Sequence, residues 1–484
     1  MEEIATYLGP KGYSIKKENL SVHEQELIRR ELTVKAFVPK SSINQPVPFP
    51  IYRESPNKLY IPRFYGLETY GEPDCIRIGD GKEISLRFKG ALLDFQKPIV
   101  KEYIKNAKTK GAGLLEIHCG AGKTVMALKI IAELKKKTLV IVHKEFLLRQ
   151  WLERIQQFLP DAKVGKIQAN VIDIDDKDIV IGMLQSLSMK EYPASLFKDF
   201  GLTIIDECHH IAAEVFSNAL FKIVTKYMLG LSATMKRKDG LSRVFKMFIG
   251  DVVYKKERES KDIVVVKGVH YVTTDQEFSE VKYNFKGQVH YAIMIKKLCE
   301  FNRRSEFILR VLKDSLTENP EQQFIILGHN KSLLKYLYDG VKHHNIASVG
   351  YYIGGMKDKE LKISEGKKII IATYAMAEEA LDIKSLTSLI MATPKSDVRQ
   401  AVGRILRKKK ANALVFDIID MHGIFQRQWQ KRCTWYRKQK FTIVSTTSRE
   451  YGKKKWETLS SNGTRIMKPK DPVDNLLHGV CLID

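Results

Sequence analysis

The run Cys119-Gly120-Ala121-Gly122-Lys123-Thr124 sets two glycines, a cation and a hydroxyl side by side at the end of the apolar segment Leu114-Leu115-Glu116-Ile117-His118. That combination suits a polyphosphate. The helix-period run that follows, Val125-Met126-Ala127-Leu128-Lys129-Ile130-Ile131, aims its amino end at the loop, so backbone N–H groups and the helix dipole favour negative charge there. Gly120 and Gly122 let the backbone approach closely, Lys123 reaches the outer phosphates, and Thr124 can ligate Mg2+. Residues His118 to Thr124, with Ala121 among them, are therefore the candidate triphosphate loop. The general phosphate-loop pattern places Gly where Ile117 stands. Only its second half is intact, and an ordinary glycine turn capping a buried strand is the competing reading.

Related chemistry recurs at the ends of other apolar runs. Leu202-Thr203-Ile204-Ile205 delivers Asp206-Glu207-Cys208-His209, and two carboxylates at the carboxyl end of a buried strand lie where a doubly wound sheet places its ligand chemistry. Asp206 would hold Mg2+ through water, and Glu207 would orient and deprotonate an attacking water, the two roles that triphosphate hydrolysis requires. A helix-capping Asp beside a solvated Glu is the alternative. Met228-Leu229-Gly230-Leu231 leads into Ser232-Ala233-Thr234, whose hydroxyls can bond the carboxylates and sense the state of a nucleotide. Gln96, about one helix upstream of the loop, is placed either to hydrogen-bond an adenine edge or to cap its own helix. In the second half, Gln400, Arg404 and Arg407 share one helix face by their spacing. Guanidinium groups there can neutralise charge developing on a transferred phosphoryl group.

Positioning such residues takes strands and crossover helices. From Leu92 onward apolar runs such as Thr138-Leu139-Val140-Ile141-Val142 and Phe324-Ile325-Ile326-Leu327 alternate with amphipathic stretches, which predicts α/β architecture with parallel sheets. The 484 residues exceed what one core holds. The expected boundaries are an accessory domain over residues 1–90, a first α/β domain over 91–250, a linker or small insertion over 251–290, a second α/β domain over 291–440 and a basic tail over 441–484. In the first of these, Ser21 and Glu24 form a capping box that starts a helix, and Arg63-Phe64-Tyr65 reads equally as a packed loop or a nucleic-acid contact. The net charge of +25 calls for a polyanionic partner, with nucleic acid ahead of membrane because no apolar stretch reaches about 18 residues. Six cysteines without a C-x-x-C pair read as free thiols in a reducing compartment. Arg427, Trp429, Lys431, Arg432, Trp435, Tyr436, Arg437, Lys438 and Lys440 interleave cations with aromatics. This suits backbone neutralisation and base stacking, or a docked amphipathic helix.

The order G-A-G-K-T, D-E-C-H, S-A-T and Q-x-x-G-R-x-x-R resembles that of superfamily 2 helicases, and the phosphate loop resembles that of the XPB-type members, which tolerate an aliphatic residue at the place of Ile117. The resemblance covers roughly residues 90 to 440. It implies two tandem RecA-like parallel-sheet domains that bind ATP with Mg2+ between them and couple its hydrolysis to movement on nucleic acid. Residues 377–383 are similar to the family's motif V, with Ala380 where Gly is common, and Asp382 would link the ATP and strand-binding sites. Lys144, Gln185 and Thr373 are the candidate nucleic-acid contacts. The wording of residues 7–13, 59–66 and 417–420 is similar to helicases of large cytoplasmic DNA viruses and to the poxvirus transcript-release helicase. That likeness implies a monomeric viral enzyme acting on DNA rather than RNA, in transcription or repair, beside viral transcription or repair proteins and in the host cytoplasm. A duplex translocase that does not separate strands, and a non-enzymatic nucleic-acid-binding subunit, are the alternatives.

Overall fold

The computed structural model describes residues 5–38, 45–118, 120–235, 237, 239–257, 264–379, 383, 385–405 and 413–459. The chain divides into two compact units, residues 1–258 and 259–484.

The first unit begins with a small sheet whose strands lie in the order Arg53–Glu54, Lys58–Ile61, Gly12–Lys16, Thr6–Gly9, Cys75–Ile76. One face carries Leu8, Tyr13, Ile15, Leu59 and Ile61, all buried, and packs with Ile28 and Leu32. The capping box is present, with the Ser21 hydroxyl accepting from Glu24 N and Glu24 reaching back to Ser21 N. Arg63 opens the helix Arg63–Tyr70 and donates to the carbonyls of Lys110, Thr225 and Lys226. It is a packed brace between this module and the sheet behind it, which resolves the two readings of that stretch in favour of packing.

The larger sheet of this unit is built from β1 (Ala112–Ile117), β2 (Thr138–Val142), β3 (Val164–Gln168), β4 (Val171–Asp173), β5 (Ile179–Met183), β6 (Leu202–Ile205), β7 (Tyr227–Ser232) and β8 (Val252–Lys256). Their order is β4-β3-β5-β2-β6-β7-β1-β8, and all pairs except β3 with β4 are parallel. Strands covered on both faces must be apolar throughout, which is why β2 and β6 read as unbroken aliphatic runs and are buried at every position. Helices α1 (Gln96–Lys110), α2 (Lys123–Leu134) and α3 (Glu145–Phe158) follow the same rule with one buried stripe each.

The second unit repeats the plan with β9 (Val264–Tyr271), β10 (Phe324–Gly328), β11 (Val349–Tyr352), β12 (Ile369–Thr373), β13 (Ser388–Met391), β14 (Ala413–Asp420), β15 (Thr442–Thr447) and β16 (Glu457–Thr458), in the order β11-β12-β10-β13-β14-β9-β15-β16. These two mostly parallel sheets are the tandem RecA-like architecture. Two expectations are corrected. Residues 251–290 are not a linker: β8 pairs with β1, and β9 lies inside the second sheet between β14 and β15. The tail does not begin at 441, because β15 and β16 extend that sheet, and residues from 460 lie outside the described ones. The stacking reading of the basic aromatic stretch gives way to the other one, a docked amphipathic helix: α4 (Gly423–Lys438) buries Phe425, Trp429, Arg432, Cys433 and Tyr436 against the sheet.

Strand β14 also anchors the second unit electrostatically. Asp420 receives Nε and Nη2 of the fully buried Arg304 at 2.5 and 2.9 Å, while Asp417 receives Nε and Nη2 of Arg432 at 2.7 and 2.8 Å. The remaining guanidinium nitrogens donate to the carbonyls of Ala392 and Lys395. Burial pushes the Asp417 carboxyl above the usual carboxylate range, and Arg432 opposes that push. Replacing Arg304 with Leu strands a buried carboxylate, and should lower the stability of the second unit by about 3–5 kcal/mol, read as a fall in its urea midpoint.

Candidate functional site

The site grows from the turn between β1 and α2. Gly120 and Gly122 have φ of +81° and +80°, a region costly to residues with a Cβ. At Gly122 a Cβ would also come within 2.6 Å of the Gln96 amide nitrogen. Gln96 is nearly fully buried at the start of α1, where its Nε2 donates to Ala121 O at 2.7 Å and its Oε1 accepts from Leu93 N at 2.9 Å. Its amide therefore ties the loop to the chain ahead of α1. His118 follows β1, and its N–H is directed at Lys256 O, 3.3 Å away. Thr124 is half-buried as the second residue of α2.

Lys123, nine-tenths buried, places its ammonium 3.0 Å from Glu207 Oε1. Glu207 can face it because the backbone turns sharply after β6, with Glu207 itself at φ +48°. Holding a non-glycine residue there costs about 1–3 kcal/mol, a strain that directs the carboxylate back at the lysine. Asp206, also buried, accepts from Trp151 Nε1 at 2.8 Å and from Glu207 N at 2.9 Å. Burial first, then the neighbouring Glu207, push the Asp206 carboxyl above the usual carboxylate range, while Trp151 and Lys123 pull it back.

From Glu207 the contacts run on to the end of β7. His209 Nδ1 lies 3.3 Å from Glu207 Oε2 and 3.0 Å from Ser232 Oγ. The Ser232 hydroxyl gives its single proton to Thr234 O at 2.6 Å and accepts from Thr234 N at 3.2 Å, so His209 Nδ1 carries the proton and donates to Ser232. Arg237 fixes this corner from behind. It donates to the carbonyls of His209 and Ile211 at 2.7 Å each and pairs with Asp239. Cys208 is packed inside, its thiol pushed up to about 12 chiefly by burial.

The structure thus brings together Gln96, Ala121, Gly122, Lys123, Asp206, Glu207, Ser232 and Thr234. The residues the motif reading passed over are Trp151, which shows only as part of an amphipathic stripe, His209, visible as the last letter of D-E-C-H, and Arg237, which no spacing singled out. Gln185 Nε2 donates to His143 O at 3.0 Å, so Gln185 and the half-buried Lys144 stand at the carboxyl ends of the adjacent strands β5 and β2. In the second unit Thr373 ends β12, where its hydroxyl accepts from Met376 N at 3.4 Å, and Gln400 is half-buried on the helix Arg399–Ile405. Arg404 belongs to that helix, though its side chain is outside the description, and Cys119, Asp382 and Arg407 lie outside the described residues.

Residues 89–237 match the family model described as "Type III restriction enzyme, res subunit". Over 460 residues the chain is 34% identical to "Putative ATP-dependent RNA helicase L396" of Acanthamoeba polyphaga mimivirus, covering 92% of this chain and 88% of that protein. It is 26% identical over 376 residues to "Putative helicase 161L" of Invertebrate iridescent virus 6, covering 73% and 83% respectively. Among solved structures, S. cerevisiae Dbp5 bound to RNA and ADP BeF3 is similar with a TM-score of 0.53 at 10% identity, covering 74% of this chain and 91% of that one, which speaks to the fold. Tandem RecA-like units and a glycine-turned lysine facing a D-E-C-H corner define an ATP-dependent helicase of superfamily 2. The chain belongs to the family of viral ATP-dependent helicases represented by the mimivirus and iridovirus proteins.

Gly122→Ala should weaken nucleotide binding at least about 10-fold, since the loop would have to leave the left-handed region and shed Gln96. Titration of a fluorescent ATP analogue measures this, and circular dichroism should show the fold retained.

Proposed function

We propose that the chain is an ATP-driven helicase or translocase whose track is DNA, acting in viral transcription or repair. The observation that carries the hydrolytic half of this reading is the Lys123–Glu207 pair, which places the phosphate-binding cation against the carboxylate suited to activate water. Triphosphate entering the loop competes for Lys123, and Glu207 Oε1 is released toward the attacking water. Arg404 and Arg407 of the second unit supply the charge that stabilises the transferred phosphoryl group, Gln400 joins Ser232 and Thr234 in coupling, and Asp382 links hydrolysis to the strand contacts Lys144, Gln185 and Thr373. Thr124 and Asp206 are oxygen donors suited to a hard cation, and they would hold Mg2+. That ion, when bound, neutralises phosphate charge.

DNA is favoured by the match of the first unit to a restriction-enzyme subunit and by the XPB-type phosphate loop. The excess positive charge supports a nucleic-acid track of either kind. The mimivirus relative's name speaks of RNA, so the track is the quantity to measure. ATP turnover by the purified chain should rise on adding single-stranded or duplex DNA, fall back with salt, and respond less to RNA. Stronger stimulation by RNA would overturn the DNA assignment.

Substitutions separate the roles within the site. Lys123→Ala should abolish turnover, whereas Glu207→Gln should bind ATP and turn it over about 100-fold more slowly. Arg404→Ala should lose hydrolysis with nucleotide affinity held within a few fold. Near-normal turnover by the first two, or loss of affinity alone by the third, would contradict these assignments.

A further inference from the structure

The amino-terminal sheet has a second face, and its composition differs from the one turned to the core. The pairing sets Tyr7 beside Ser14 and Ser14 beside Tyr60, so a row across three strands reads aromatic, small, aromatic. The two tyrosines are separated by two strand spacings, about 9.6 Å, with only a serine between them, and each is half-buried. Cations lie against both rings. Lys58 Nζ sits 5.1 Å and the Arg77 guanidinium 4.3 Å from the centre of Tyr7, and Lys11 Nζ sits 5.1 Å from the centre of Tyr60.

Two details say that this face is arranged for something other than folding. Lys16 and Lys58 stand directly opposite each other in the register, a like-charge pair that weakens a sheet, and Lys16 is relieved by Glu18 at 3.0 Å. Ser14 is 1% exposed, yet its hydroxyl has no hydrogen-bond partner among the described residues. It lies between the two tyrosines in the register with its bonding capacity unused, a destabilising arrangement in a module whose other face is packed with apolar side chains.

We propose that this face is a binding platform for single-stranded nucleic acid, with Tyr7 and Tyr60 each stacking one base and Lys11, Lys58 and Arg77 neutralising the phosphates between and beside them. Paired aromatics on a flat sheet bind bases without regard to sequence because every base offers a π-face, and cations already held over the rings need only short rotations to reach phosphate oxygens. The proposal rests on the reading of this chain as a nucleic-acid motor, and it adds a grip on the strand outside both RecA-like sheets. A motor with such a grip retains its track while the nucleotide site is empty.

The test uses the full chain without nucleotide and a fluorescein-labelled oligothymidylate of about 20 nucleotides, followed by anisotropy. Tyr7→Ala with Tyr60→Ala should raise the Kd by about 10- to 100-fold, corresponding to the loss of two stacked bases, and should raise the polymer concentration that half-stimulates ATP turnover in parallel. Tyr7→Phe with Tyr60→Phe, which keeps both rings, should bind within about 2-fold of the unaltered chain. Lys58→Gln with Arg77→Gln should flatten the salt dependence of the Kd. An unchanged Kd in the alanine double variant overturns the platform, as does equal loss in the phenylalanine variant or a face that binds only a protein partner. If the unaltered chain itself neither binds the oligomer nor is stimulated by any polymer, it is the motor reading that fails.

Discussion

The ion pair between Lys123 and Glu207 is the contact on which the corner between β1 and β6 depends. Each member is costly where it stands: Lys123 is an ammonium largely withdrawn from water, and Glu207 sits on a left-handed backbone. A buried charge deprived of its partner is strongly unfavourable, so the pair holds β1 and β6 in a shared geometry at their carboxyl ends although β2, β6 and β7 are the strands that neighbour one another. The pairing is also provisional by design of the charges. A triphosphate offers Lys123 several oxygens in place of two, and whatever draws the lysine away changes what Glu207 can do. On the proposed reading, the empty site protects itself from idle water activation by occupying the base.

That change need not stay local. His209 Nδ1 lies 3.3 Å from Glu207 Oε2 and donates to Ser232, which bonds Thr234, and Arg237 donates to the His209 carbonyl. The segment after β7 is therefore tied to the imidazole that lies against the Glu207 carboxylate. The second unit contributes stiffness of another kind. Its two buried arginine–aspartate pairs tie β14 to the helix Asn302–Glu318 and to α4.

Much of this was legible in the residues. The unbroken aliphatic runs of β2, β6, β10 and β12 follow from burial on both faces, and the strand-then-glycine-then-lysine order marked the loop without help from the fold. Where the reading failed, charge misled it. The stretch 251–290 read as a linker or small insertion, yet Lys267 within it is part of β9, with Nζ 5.3 Å from the ring centres of Phe416 and Trp456, so a cation is tolerated inside the sheet. Arg432 looked like a phosphate contact and is instead neutralised by Asp417, fifteen residues earlier on a different element. Trp151 looked like core and uses its one donor on Asp206. In each case the deciding partner is distant in sequence or belongs to another element, and spacing along one element carries no information about it.

On the proposed reading, His209 stands where it can pass a change at Glu207 on to Ser232 and the segment beyond it. The most direct measurement is ATP turnover by His209→Ala with and without saturating DNA, alongside its affinity for ATP. Nucleotide affinity should stay within a few fold of the unaltered chain and DNA stimulation should fall on the order of 10-fold, corresponding to the loss of the imidazole between Glu207 and Ser232. Full DNA stimulation in this variant would contradict that reading, and so would a loss confined to nucleotide binding.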